Sequence, residues 1–253
     1  MNLLAIETST EFCSLAVCRG DKVSAMHFQA AQRHGETVLE STRQLLAQAG
    51  LDLAALDGIA FGQGPGSFTG LRIACGVTQG LALALEIPVK GIGTLLALAQ
   101  ECGADKVIAC LDARMGEVYH AAYRRESAGS AWVEVAAPGL YNPQAVPLVE
   151  GDGWTGCGTG FAAQGDALME RIGQGRIVAT LPQAVPTARA VLALARPLFE
   201  AGAGDDAAMA LPVYLRDKVA LTEHERAIVR EGKHEARGNV QDDRGVKTGG
   251  RAR

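Results

Sequence analysis

The feature that most constrains this fold is a pattern stated twice along the chain. Ala5-Ile6-Glu7-Thr8 ends an apolar run near the N-terminus, and Ala109-Cys110-Leu111-Asp112 ends another in the second half. Each is followed by a turn and a further strand-like run, and each places an acid where its first strand stops. A unit repeated within one chain points to duplicated architecture, because each copy is expected to build the same supersecondary unit.

The spacing of apolar residues supplies the elements. Residues 3–6, 13–19 and 22–28 read as strands, the last two joined by a Gly20-Asp21 turn. Val38, Leu39, Thr42, Leu45, Leu46 and Ala49 then share one helical face that stops at Gly50. Residues 59–62 read as a short strand, and Gly64-Pro65-Gly66-Ser67 breaks the chain before a helix from about 69 to 85, ended by Pro88. In the second copy the turn Ala113-Arg114-Met115-Gly116 leads into a strand over 117–123. Residues 161–172 and 187–200 read as helices, Pro186 favouring the start of the latter, and 212–215 as a strand or extended segment.

Two strand meanders with helices imply an α/β chain of two stacked lobes facing each other across a cleft. That is the duplicated actin-like plan (ASKHA, ribonuclease H-like) of actin, sugar kinases and heat-shock ATPases, a step taken by analogy of fold. The expected division is a first lobe over 1–99, a second over 100–222 and a charged tail over 223–253. The tail lacks the apolar residues needed to offset its ordering entropy, so disorder is expected there. A weak RNA or partner arm is the alternative, since Arg244, Lys247, Arg251 and Arg253 lie within it.

Composition then excludes several function classes. The chain has 253 residues, is 48% hydrophobic and carries a formal charge of −4, which suits a core-forming globular protein and argues against an independent nucleic-acid binder. There is no basic start followed by a long apolar stretch, and no window of membrane-spanning length is free of charges or clustered glycines, so a cytoplasmic protein without a membrane anchor is expected. The six cysteines, Cys13, Cys18, Cys75, Cys102, Cys110 and Cys157, form no CxxC pair, so neither a zinc site nor a disulfide framework is indicated. His27, His34, His120, His224 and His234 have no metal-ligand spacing, and neither HExxH nor a Gly-x-Ser-x-Gly elbow is present.

The most informative segment is Phe61-Gly62-Gln63-Gly64-Pro65-Gly66-Ser67-Phe68-Thr69-Gly70-Leu71-Arg72. A glycine-rich turn feeding a helix start presents backbone N–H groups and the positive end of the helix dipole, with Ser67 or Thr69 able to cap. Thr8, Ser9, Thr10, Gly64, Gly66, Ser67 and Thr69 are thus a candidate anion- or nucleotide-contact loop. The alternative is a tight turn that lets the helix pack close to its sheet. No lysine follows the glycines, so this is not a Walker loop.

Taken as a string, that segment resembles the signature of the TsaB family. Ile6-Glu7-Thr8-Ser9-Thr10, Leu111-Asp112-Ala113-Arg114-Met115-Gly116-Glu117-Val118-Tyr119 and Pro212-Val213-Tyr214-Leu215-Arg216 agree with it in the expected order, and the resemblance covers residues 1–222. It implies a non-catalytic partner of the catalytic subunit TsaD in threonylcarbamoyl modification of adenosine in tRNA, adjacent to the anticodon. It also implies that the ATPase TsaE joins that pair, that the chain alone forms a homodimer, and that tRNA is met only through the complex. No cofactor is expected to be held tightly by this chain, ATP or ADP and a metal belonging to the partner complex.

The catalytic paralogue carries an HxxxH pair in the helix corresponding to Gly93-Thr94-Leu95-Leu96-Ala97-Leu98-Ala99-Gln100, where this chain has no histidine. Glu7 and Asp112 read either as acids of a kinase site or as turn-shaping residues bonded to the loops that follow. His34 reads as a helix-entry residue facing a partner or solvent.

Ile73, Gly76, Val77, Gly80, Leu81 and Ala84 share a face of the second helix, and Gly76 to Gly80 is a small-x-x-x-small step that admits a close helix. The alternative is packing on its own sheet. The resemblance implies that this helix and the preceding one form a bundle with the partner, through Val38, Leu39, Thr42, Leu45, Leu46, Ile73, Gly76, Val77, Gly80 and Leu81. The rival function is an ATP-dependent small-molecule phosphotransferase of the actin-like kinase fold.

Overall fold

A computed structural model describes residues 1–30 and 33–216. The expected tail over 223–253 lies outside the described residues. The first half builds β1 (Asn2–Glu7), β2 (Phe12–Arg19), β3 (Lys22–Gln29), α1 (His34–Ala49), β4 (Gly58–Gly64), α2 (Phe68–Leu85), β5 (Val89–Gly93) and α3 (Thr94–Cys102). The second half builds β6 (Lys106–Asp112), β7 (Val118–Arg124), β8 (Val133–Tyr141), β9 (Trp154–Cys157), α4 (Thr159–Ile172), β10 (Ile177–Leu181) and α5 (Ala188–Glu200).

The two five-stranded sheets, ordered β3-β2-β1-β4-β5 and β8-β7-β6-β9-β10, have the same topology. Each first strand pairs antiparallel with the second and parallel with the fourth. The registers match as well, Ala5 lying opposite Ala16 and Ala60, and Ala109 opposite Ala121 and Cys157. The chain therefore has the duplicated actin-like, ribonuclease H-like fold. The copies diverge after the third strand, where the 16-residue α1 of the first half is answered by a three-residue 3-10 turn at Pro143–Ala145.

Side chains alternate along β1 because successive residues of a strand point to opposite faces. Leu4 and Ile6 join α1 and α2 in one core, while Leu3 and Ala5 face α5 in another. The small Ala5, Ala16 and Ala60 on that second face meet Ala188, Ala190 and Ala195 of α5, so helix and sheet approach closely. On the second sheet, Ile108 and Cys110 face α4 whereas Val107, Ala109 and Leu111 face α3. Each half's last helix therefore lies on the other half's sheet. The helix over 188–200, expected within the second lobe's residues, packs on β1, β2 and β4.

Strands β8, β9 and β10 are absent from the sequence reading. β8 contains Pro138 and Gly139, β9 has four residues, and β10 exposes most of its length, so none shows the alternation that marks a strand. Pro138 is tolerated because β8 is an edge strand, where a missing N–H breaks no ladder. Residues 212–215 form no strand, but the Val213 N–H donates to the Gln63 carbonyl at 2.7 Å, holding them alongside β4.

His120 on β7 is fully buried, edge-on to the Tyr141 ring, and neither imidazole nitrogen has a hydrogen-bond partner among the described residues. Burial pushes its pKa down to about 4 from the usual 6.5. Between those values the unfolded chain binds a proton that the native state refuses, so the contribution of neutral His120 to stability is complete above pH 6.5 and declines as pH falls toward 4. Replacing His120 with Leu should remove about 1 kcal/mol of this loss per pH unit. The check is the difference in melting curves between wild type and His120→Leu across that window; parallel pH profiles would exclude the effect.

Candidate functional site

The loop after β1 and the start of α2 meet in close contact. A Cβ on Gly70 would lie 1.9 Å from the Thr8 carbonyl oxygen, and one on Gly66 would lie 2.6 Å from the Ser9 Cβ. The Thr8 hydroxyl donates to the Gly70 carbonyl at 2.8 Å, and the Ser67 N–H donates to the Ser9 carbonyl at 2.7 Å. Ser67 caps α2 by accepting from the Gly70 N–H at 3.4 Å.

This geometry is that of the alternative reading of the glycine segment, a tight turn that lets the helix pack close. Thr8, Ser9 and Gly64 are buried by the protein itself, and Thr10 and Gly66 are half-buried; only Ser67 and Thr69 are exposed. The glycines serve close packing.

Glu7 and Asp112 both act on the turns that follow them. Glu7 is buried and its Oε1 accepts from the Ser9 N–H at 2.6 Å, while Oε2 has no hydrogen-bond partner among the described residues. Desolvation raises its pKa, against the lowering effect of the Ser9 bonds. Asp112 accepts from the Arg114 N–H at 2.9 Å and pairs with the Arg114 guanidinium at 3.2 Å. His34 is not at the surface: it is buried, and its Nε2 lies 3.1 Å from the Phe12 carbonyl, which fixes the start of α1 on β2.

The two faces of α2 differ. Leu71, Ala74, Cys75, Thr78 and Ala82 are buried against the sheet. Gly76, Gly80 and Ala84 are exposed on the other side, with Ile73, Val77 and Leu81 half-buried between, and an added Cβ at Gly76 or Gly80 would meet nothing within 4 Å among the described residues. Leu83 is 59% exposed on the same helix. The face is divided: Ile73, Val77 and Leu81 pack in part on this chain's own core, while Gly76, Gly80 and Ala84 look outward. By length and apolarity alone α2 would pass for a membrane span, its 18 residues having a mean hydropathy of 1.3.

Helix α1 is different. Val38, Thr42, Leu45 and Leu46 are buried in this chain's own core, so they have no surface to offer, and of the five α1 residues expected at an interface only Leu39 is exposed, at 54%. The helical periodicity that identified the face was that of the core stripe.

Three residues that sequence reasoning did not select gather at the start of α2. The Arg72 guanidinium lies 3.9 Å from the centre of the Phe68 ring and donates to the Tyr214 hydroxyl at 3.0 Å, and the two rings are 5.3 Å apart. Their membership in two of the quoted motifs was the available signal. Met209, Leu211 and Val213 add exposed apolar surface in the same C-terminal stretch, and the turn at Ala207–Met209 packs against α2.

The chain is similar to known proteins over most of its length. The family model described as "TsaD: tRNA N6-adenosine threonylcarbamoyltransferase" matches residues 28–146. A relative in Escherichia coli K12, "tRNA threonylcarbamoyladenosine biosynthesis protein TsaB", is 38% identical over 229 residues, covering 87% of this chain and 96% of its own. The protein of that name in Haemophilus influenzae is 36% identical over 231 residues, covering 87% and 95%. The structure of YeaZ from Pseudomonas aeruginosa superposes with a TM-score of 0.77 at 40% identity, covering 85% of this chain and 99% of that one. The chain belongs to the TsaB family.

The four motifs that carried the TsaB resemblance are brought to two places. Residues 6–10, 61–72 and 212–215 converge around the start of α2, whereas 111–119 form the β6–β7 turn of the other sheet. In that turn Arg114 and Met115 take left-handed φ values of 63° and 57°, a conformation unfavourable to both.

Two substitutions check these assignments. Gly70→Ala should lose several kcal/mol, because its methyl group collides with backbone, while Gly76→Ala should gain up to about 1 kcal/mol from helix propensity in open space; thermal melts of both distinguish packing glycines from surface glycines. Glu7→Gln keeps an acceptor for Ser9 and removes a charge that burial disfavours. Since a raised carboxyl pKa costs native stability as pH climbs above 4.5, the melting temperature of Glu7→Gln should exceed wild type increasingly above that pH.

Proposed function

We propose that this chain serves threonylcarbamoyladenosine biosynthesis in tRNA as a non-catalytic cytoplasmic subunit, docking a TsaD-type catalytic subunit through the outer face of α2. The carrying observation is that face itself: an apolar helix with two glycines open to solvent, on a chain whose relatives are named for that biosynthesis. Glycines cost about 1 kcal/mol each in a helix interior. An opposing helix that packs against the Gly76–Gly80 step offsets this through close backbone approach.

The same face serves a second copy of the chain when the catalytic subunit is absent. Phe68, Arg72 and Tyr214 extend it toward the start of α2, where the joint also receives the ATPase TsaE. ATP or ADP and any metal are held by that assembly, and tRNA meets the catalytic subunit. The sealed Thr8-Ser9 loop and the turn-shaping roles of Glu7 and Asp112 support a scaffold over a phosphotransferase.

Gly80→Leu tests this directly. With nothing within 4 Å of the added carbon, the fold should keep or slightly raise its melting temperature. Affinity for the catalytic subunit should fall about a hundredfold or more, close to 3 kcal/mol, because the leucine holds the helices apart. Unchanged affinity in a well-folded Gly80→Leu protein would remove the α2 face from the interface.

A further inference from the structure

Cys102 and Cys157 are distant in sequence and meet only in the fold. Cys102 closes α3 and Cys157 closes β9. The Cys157 thiol donates to the Leu98 carbonyl at 3.8 Å, and Leu98 lies one helical turn before Cys102 on the same side of α3. Both belong to the core around Leu95, Leu98 and Val107, where the Cys157 thiol lies against the turn of α3 that ends at Cys102.

Their access to solvent differs. Cys157 is fully buried, whereas Cys102 is half-buried and lines a cavity of about 520 Å³ with Ser14, His27, Glu101, Gln183 and Arg189. A small molecule entering the cavity can reach Cys102 and not its neighbour.

The surroundings assign different states to the two sulfurs. Interaction with the neighbouring Cys157 thiol lowers the Cys102 pKa to about 7, with the Ala104 N–H and Arg125 adding to it against burial. The Arg125 guanidinium is at hand because it donates to the Gly103 carbonyl at 3.0 Å and pairs with Asp105 at 2.8 Å. It offsets the negative end of the α3 dipole, which by itself would disfavour a thiolate there. Cys157 is pushed in the opposite direction by its neighbour Cys102 and by its burial, so it keeps its proton.

We propose that Cys102 is an oxidation site with Cys157 as its resolving thiol, a small hydroperoxide entering through the cavity and converting the pair into an intramolecular disulfide. The Cys102 thiolate attacks one oxygen of hydrogen peroxide, the O–O bond breaks, and protonation of the departing hydroxide gives water and a sulfenic acid. The Cys157 sulfur then attacks the Cys102 sulfur, the S–O bond breaks as the S–S bond forms, and the Cys157 proton leaves with hydroxide as a second water. Two thiols lose two electrons and the peroxide gains them. The bond ties the end of α3 to β9, beside the Glu101 carboxylate that accepts from the Thr187 hydroxyl at 2.5 Å and so joins α3 to the start of α5.

The test uses the full reduced chain, hydrogen peroxide, and alkylation without reduction before peptide mapping by mass spectrometry. The expected product is one cross-linked peptide pair containing Cys102 and Cys157 within a single chain. Cys157→Ala, whose fold is checked by its melt, should stop at the sulfenic acid and label at Cys102 with dimedone. Cys102→Ser should consume peroxide at least about tenfold more slowly. The proposal is overturned if both thiols remain alkylatable after peroxide treatment, if the disulfide joins two chains, or if Cys102→Ser reacts as fast as wild type.

Discussion

The contact on which the first half depends is that between the β1–β2 loop and the start of α2. Gly66 and Gly70 let the helix descend until backbone touches backbone, and the Thr8 and Ser67 bonds then lock the two segments together. Beneath them the Glu7 carboxylate sits over Gly62, where a Cβ would lie 1.8 Å from its oxygen. With the helix seated this low, its inner stripe joins the Leu4 and Ile6 core and its outer stripe is left facing solvent. The orientation of the proposed docking face therefore follows from the glycines that a kinase-like reading would have assigned to phosphate.

The exchange of last helices joins the halves. Helix α5 covers the alanine-rich face of the first sheet and α3 covers the second, so neither sheet completes its core from its own half alone. The Ala188 N–H at the start of α5 donates to the Ser14 hydroxyl at 2.9 Å, which anchors the exchanged helix to β2. The cavity beside Cys102 is bounded by these crossing elements, β2, β3, the end of α3 and the chain entering α5.

Much of this was legible in the sequence. The first three strands, α1, α2 and the duplication followed from alternation, helical spacing and the repeated acid at a strand end. The orientation of the α2 glycines was not legible, because Gly76 and Gly80 at helical spacing suit close packing on a partner and on the helix's own sheet alike. The same is true of α1, where apolar periodicity marks a buried stripe and an interface stripe alike. The burial of Val38, Thr42, Leu45 and Leu46 settles which it is.

By itself the sequence determined the order of the elements and the two-lobed plan, and its motifs pointed to the TsaB family, because these are carried by local spacing and by collinear strings of residues. Only the tertiary structure decided that Glu7 and His34 point inward, that the glycine loop is closed by its own chain, that α3 and α5 change sides, and that Cys102 meets Cys157. Each of those depends on residues distant in sequence reaching van der Waals contact. Contact of that kind is set by how helices seat on sheets, a property of the packed chain that no single segment encodes.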